Sequence, residues 1–180
     1  MDSRGIARRR YVHCQRGHIG RQGLRRDYFT LVAENIDWID DDGEPAQPQV
    51  TIDFDGPGTT LRERLTNADG DLLTAEETDV AYRLQSPPDA EDATGVVSVT
   101  NRTTGDFVLE LNEAAADVLQ FIRAARRYGE HDPDTDGRYG VQLRIDGEEL
   151  LSYDKETFLV YNEEGNLLRK HSLIPSGVEL

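Results

Sequence analysis

The acids of Asp132-Pro-Asp134-Thr-Asp136-Gly137 stand at the spacing that opens an EF-hand calcium loop. Such a loop draws oxygen ligands from alternate early positions, turns sharply on a glycine, and closes with a bidentate glutamate at its twelfth position. Here that position is Leu143. The residues after Gly137 also alternate like a strand, where an EF-hand would begin its second helix. Asp132, Asp134 and Asp136 are thus a candidate for a low-affinity cation, and an acidic surface turn is the plainer expectation.

Asp40-Asp-Asp42 and Asp69-Gly-Asp71 offer carboxylates to Mg²⁺, which usually takes one or two of them together with substrate phosphates. The chain has neither GxxxxGK[ST] nor GxGxxG to hold such phosphates, so both stretches read as solvated turns. Histidine is the usual general base near neutral pH. Beyond the first 26 residues only His131 and His171 occur. Ser172 adjoins His171, but neighbours on a strand point to opposite faces and do not form a nucleophile–base pair. HExxH, CxxC and GxSxG are all absent, and Cys14 is the single thiol. Among 35 Asp and Glu residues no pair stands out for acid–base work. No catalytic residue and no cofactor follow from these residues.

The basic groups are easier to place. Arg123 and Arg127 lie four apart on a predicted helix, a like-charge pair that mildly destabilises it. Arg144, Arg169 and Lys170 follow later in the chain. If they converge, Arg123, Arg127 and Arg169 form a contact for an anion or an acidic partner. The alternative is that they neutralise neighbouring carboxylates.

The elements that must position these groups centre on Asp106–Gly129. Phe107, Leu109 and Leu111 alternate with Val108 and Glu110, as in a strand. Asn112 then stands where an N-cap is expected, and Gly129 where a helix stops. This spacing predicts a long helix over about 112–128. Ala115, Val118, Leu119, Ile122 and Ala125 make its apolar arc, with Phe121 at the edge. Glu113, Gln120, Ala124 and Arg127 fall on the opposite face. Arg126 falls within the apolar arc, where it either snorkels to solvent or meets a buried carboxylate.

Elsewhere, Arg26–Ile39 reads as a strand with a bulge near Ala33–Asn35. Val50, Ile52 and Phe54 give a half-buried strand, and Thr59 or Thr60 caps a short helix over about 59–66. Val80–Leu84 is a further strand. Val97 and Val99 pair with Phe107–Leu111 through the Asn101–Gly105 loop. Tyr139–Ile145 turns at Asp146-Gly147, a strong two-residue hairpin signal. Leu151–Tyr153, Phe158–Val160 and Leu167–Leu173 complete an expected antiparallel meander of about four strands.

The expected fold is therefore a single α+β domain: a largely antiparallel sheet of about eight or nine strands, one long helix and one short one. A helix cradled on a curved sheet is the preferred arrangement, and a small closed barrel the alternative.

A length of 180 residues suits one domain with a real core. No apolar run approaches the ~20 residues of a membrane span. A lone cysteine allows no internal disulfide and fits a reducing cytoplasm. The net charge of −15 hides a split. Residues 1–26 hold eight arginines and one acid, while residues 27–180 hold thirty-four acids against twelve bases, a net of −22. Such a body repels nucleic acid and anionic membranes. It also repels itself, unless salt shortens the Debye length to about 3 Å at 1 M. The composition thus predicts a halophile's cytoplasmic protein. Residues 1–24 show no hydrophobic period and read as a disordered basic tail, or as sequence upstream of the natural start. Residues 25–180 form the acidic domain.

Several stretches carry a resemblance. They are Arg25-Arg-Asp-Tyr-Phe-Thr-Leu31, Asn35-Ile-Asp-Trp38, Gly95-Val-Val-Ser-Val-Thr-Asn-Arg102, Phe121-Ile-Arg-Ala-Ala-Arg-Arg-Tyr-Gly129 and His171-Ser-Leu-Ile-Pro-Ser-Gly-Val-Glu-Leu180. Together they resemble a family of small acidic proteins of unknown function from halophilic archaea, over about Arg25 to Leu180. Leu24 takes the place of the family's initiating Met, which implies that Met1–Gly23 is not part of the natural protein. The resemblance implies no activity, cofactor or catalytic residue. The function expected is a non-catalytic interaction or ligand-binding module, with another protein as one possible partner. A small carboxylate-dependent enzyme is the alternative, and a nucleic-acid-associated protein acting through the arginine tail comes last. An exposed apolar patch or groove without converging polar groups would mark the first of these, and a deep pocket lined by paired acids, with or without His171, the second.

Overall fold

The structure, a computed structural model, describes residues 10–12, 28–131 and 138–175. Its strands are β1 (Arg10–Val12), β2 (Phe29–Glu34), β3 (Gln49–Phe54), β4 (Thr78–Leu84), β5 (Thr94–Asn101), β6 (Phe107–Ala114), β7 (Tyr139–Ile145), β8 (Glu148–Lys155) and β9 (Leu159–Tyr161). Its α-helices are α1 (Gly58–Arg64) and α2 (Ala115–His131). The single α+β domain and the two helices are as the sequence predicts.

The strands form two sheets rather than one, in the orders β1-β2-β3-β7-β8 and β6-β5-β4-β9. Most neighbours are antiparallel. The exceptions are β3 with β7 and β4 with β9, which run parallel. Alternation explains the layering. Phe29, Leu31 and Ala33 on β2 stand level with Phe54, Ile52 and Val50 on β3, and the latter with Ile145, Leu143 and Val141 on β7. On the second sheet Val80 and Tyr82 pair with Val99 and Val97. These inner faces, with one side of α2, share a single core. Phe121 of α2 meets Tyr139 edge-on at 5.5 Å between ring centres, and Phe158 lies 5.8 Å from Tyr139. Gly58 and the buried Leu61 bring α1 against β6 and Ile145, closing one end.

Several expectations are corrected. The strand β6 continues to Ala114, so Asn112 is no N-cap: Asn112, Glu113 and Ala114 still stand opposite Val96, Gly95 and Thr94. A sheet ladder satisfies those backbone groups where a helix start would leave them free. Gly129 lies inside α2 and ends nothing; a Cβ there would come within 2.6 Å of the Arg138 side chain. Gln120 and Ala124, expected on the solvent face, are buried. The 3-10 turn Asp37–Ile39 lies over that side of the helix, and Gln120 donates to Asp40 at 3.1 Å.

The first long strand stops at Glu34. Asn35 takes a φ of 63°, its amide donates to the Gln47 carbonyl, and the Trp38 indole N–H returns to the Asn35 carbonyl at 2.7 Å. At the short helix Pro57, and neither Thr59 nor Thr60, holds the N-cap position.

The meander survives only as the β7–β8 hairpin, where Asp146 and Gly147 have φ of 52° and 82° as a type I′ turn requires. The next strand, β9, crosses to the second sheet. Leu167 and Leu173 make isolated bridges to Tyr161 and Phe158, without a strand between them. Within the stretch read as a disordered tail, Arg10–Val12 pairs with β2. The remainder of residues 1–24 lies outside the described residues.

A buried carboxyl at the β6–α2 junction

Along β6 the inward positions are Leu109, Leu111 and Glu113. The period that buries two leucines therefore carries a carboxyl into the interior. Glu113 is only 5 % exposed. Its main chain is held from two sides. Gly95 stands opposite in β5, and the Tyr82 ring lies across that glycine to donate its hydroxyl to the Glu113 carbonyl at 2.8 Å. The Glu113 carboxyl itself accepts no hydrogen bond among the described residues. Burial first, and then the Asp117 carboxylate four residues on in the first turn of α2, together push its pKa up to about 7. The Tyr82 hydroxyl is likewise pushed well above its usual range by burial, and by the Glu113 and Asp117 charges.

Both acids line a cavity of about 60 Å³ between the sheets. Leu31, Val50 and Val141 wall it on one side and Val80, Val97 and Val99 on the other, with Val118 and Phe121 of α2 across it. Apart from the two acids the lining is apolar or aromatic. Leu31, Val50 and Asp117 are half-buried, which places the mouth on their side. Sequence reasoning missed this site by ending the strand at Leu111 and placing Glu113 on a helix surface. The signal was present: the Leu109–Leu111 alternation runs on to Glu113 without a break.

The other predicted groups fall elsewhere. Asp132, Asp134 and Asp136 lie outside the described residues. Asp69 and Asp71 belong to a turn whose backbone N–H groups both reach the Asn67 side chain. No three His, Cys, Asp or Glu residues come together among the described residues in a way that could hold a metal. No described helix is long and apolar enough to cross a membrane.

Arg123, Arg127 and Arg169 are exposed, and Arg127 donates to the Ile39 carbonyl at 3.3 Å. Arg126 neither snorkels nor meets a carboxylate. It donates to the main-chain carbonyls of Lys170 and Ser172, at 3.1 and 2.7 Å, and so ties the segment after β9 to the helix. Arg144 stands on the outer face of the first sheet, level with Asp53 and Glu149 and away from α2. Its buried Nε has no partner among the described residues. The Ser172 hydroxyl is taken up within the fold: it accepts from the Val160 N–H at 2.9 Å and donates to the Leu168 carbonyl at 2.8 Å. Ser172 thus joins the turn that follows β9 back to the strand.

Lys155 is a second buried ionisable group, and a structural one. Its ammonium donates to the carbonyls of Ala75 and Thr78 at 2.6 and 2.7 Å, and burial lowers its pKa. Tyr153, two residues earlier on β8, donates to the Leu73 carbonyl. Together they fasten the edge of the first sheet to the segment that leads into the second.

A model described as a family of unknown function (DUF5793) matches residues 24–180 of the chain. No curated protein and no solved structure matches it.

Proposed function

The chain belongs to that family of unknown function, and we propose that it is a non-catalytic binding module whose ligand enters the apolar pocket between the two sheets. The observation that carries this reading is the cavity itself. Protein interiors are close-packed, and a void forfeits the dispersion contacts of the atoms around it. A cavity of about 60 Å³ walled by valines therefore costs stability that a ligand restores. Apolar cavities stay dry and take up small apolar molecules. Methyl-resolved NMR under xenon pressure tests the reading. The methyls of Val80, Val97, Val99, Val118 and Val141 shift together if the pocket accepts an apolar guest. Unmoved methyls, or shifts that survive filling the pocket with Val118→Phe, would end it.

The setting we propose is the salt-rich cytoplasm of a halophile. Its support is the acid excess of residues 27–180 and the lone cysteine, since self-repulsion of this size is screened within about 3 Å at 1 M salt. Circular dichroism through a salt titration tests it, with folding expected only toward molar salt. Full folding in 50 mM salt would remove the support.

The neighbouring Glu113 and Asp117 favour a second reading, a carboxylate-dependent enzyme. Its mark would be a proton-transfer activity with a pH profile centred near neutrality, lost in both Glu113→Gln and Asp117→Asn.

A further inference from the structure

Edge strands expose unpaired N–H and C=O groups, and natural sheets guard them with bulges, charges, brevity or cover. Among the described residues, three of the strands at the rims of the two sheets are guarded in this way. On β8 the register skips Leu150, a bulge on the edge strand itself, and Glu148, Glu149, Asp154 and Lys155 add charge. On β6 the register skips Val108. The third, β9, is three residues long, and Leu167 bridges its Tyr161. The strand β2 has none of these devices. It pairs with β3 over all six residues, Phe29–Glu34, without a register shift, and it carries no proline and a single charge, Glu34, at its end.

What lies on that edge is Arg10–Val12, antiparallel and opposite Leu31–Ala33. Residues 10–12 fall outside the 24–180 stretch that the family model matches, so within that stretch β2 is the outermost strand of its sheet. Sixteen residues, 13–28, separate the two strands, where a hairpin uses about two to five. The short strand is therefore a tethered occupant of the edge, held there by the effective concentration its linker sets. Its charge suits the body it meets. Residues 1–26 hold eight arginines and one acid, against a net of −22 over residues 27–180. A basic strand approaches such a body favourably, whereas an acidic strand or a second copy of the body brings like charge. We infer that the outer edge of β2 is a strand-addition site for an arginine-rich extended segment of a partner protein, and that Arg10–Val12 fills it from within this chain. Main-chain hydrogen bonds carry such an addition, and alternate side chains select among strands. The inference stands apart from the pocket between the sheets.

The experiment uses the full chain in molar KCl. Successive residues of a strand aim their N–H groups to opposite sides. Arg10→Pro together with Tyr11→Pro therefore removes a ladder donor whichever side each residue presents to β2. A fluorescein-labelled peptide of residues 6–13 is titrated by anisotropy, with amide hydrogen exchange read along β2. The peptide is expected to bind the doubly substituted chain at least tenfold more tightly than the wild type, where residues 10–12 compete, and to restore protection at Leu31–Ala33. The same peptide with both prolines, or with its three arginines replaced by glutamate, is expected to bind at least tenfold more weakly. In the wild type, excess peptide is expected to shift the NMR signals of the amides of residues 10–12 as they leave the edge.

No binding to the doubly substituted chain overturns the inference, as does equal binding to the two chains, or equal binding of the arginine and glutamate peptides. A doubly substituted chain that dimerises in light scattering and ignores the peptide makes a second copy the occupant, which overturns it too. If the double substitution unfolds the chain, the wild type decides: amides of residues 10–12 that stay unmoved under excess peptide overturn the inference.

Discussion

The Tyr82 hydroxyl donates to the Glu113 main-chain carbonyl at 2.8 Å, across Gly95. That contact crosses the second sheet from β4 to the end of β6 and fixes the strand where it must hand over to α2. The tyrosine reaches because position 95 has no side chain. A Cβ there would stand 2.4 Å from the Arg83 carbonyl oxygen and 2.6 Å from the tyrosine ring.

Two substitutions separate the parts of this contact. Tyr82→Phe keeps the ring and leaves a buried carbonyl without its donor, for a loss of about 1–3 kcal/mol. Gly95→Ala forces the ring and the β4 backbone to move, and overpacking of this kind costs about 1–3 kcal/mol or more. Denaturant unfolding measures both. A Gly95→Ala protein as stable as the wild type would mean that the ring does not rest on this glycine.

Glu113 makes stability depend on pH in a defined direction. Its folded value is raised, from 4.5 to about 7. Between these values the native state holds a proton that the unfolded chain has released, so stability falls as pH rises through this window and levels off above it. At about 1.36 kcal/mol per pH decade the loss is of order 3 kcal/mol by pH 8. The groups around it are Asp117 of α2 and Tyr82 of β4, and neither supplies a positive charge. The readout is the difference between two proteins. Glu113→Gln is expected to be more stable than the wild type at pH 8 and to lose that advantage near pH 5. Parallel curves for the two proteins would show that the carboxyl ionises freely in the fold.

Lys155 holds two main-chain carbonyls, at 2.6 and 2.7 Å. Lys155→Met preserves the apolar stem and orphans both acceptors, at about 1–3 kcal/mol for each group left buried and unpaired. Thermal unfolding checks the loss. Hydrogen exchange should show it concentrated at residues 73–78, and a uniform loss across both sheets would contradict a local clamp.

Arg126 and Arg123 sit one turn apart on α2 and should behave differently. Arg126→Ala frees the Lys170 and Ser172 carbonyls, with about 1–3 kcal/mol lost and faster proteolysis between residues 166 and 175. Arg123→Ala touches an exposed side chain and stays within about 0.5 kcal/mol. Equal effects of the two would place the helix face incorrectly.

Local periodicity was enough for much of this protein. The alternations at Val50–Phe54, Val80–Leu84 and Tyr139–Ile145 specified strands and their inward faces, and Asp146-Gly147 specified its hairpin. Those patterns are local because side-chain direction alternates whatever the partner strand is. The apolar arc of α2 was legible for the same reason. Tertiary structure decided the rest. The parallel pairing of β3 with β7 and of β4 with β9 joins residues far apart in sequence, and no local signal names the partner. Whether Asn112–Ala114 would cap a helix or extend a strand depended on whether β5 offered a ladder, and it did. That choice turned Glu113 from a helix-surface acid into a buried one, and the candidate site exists because of it.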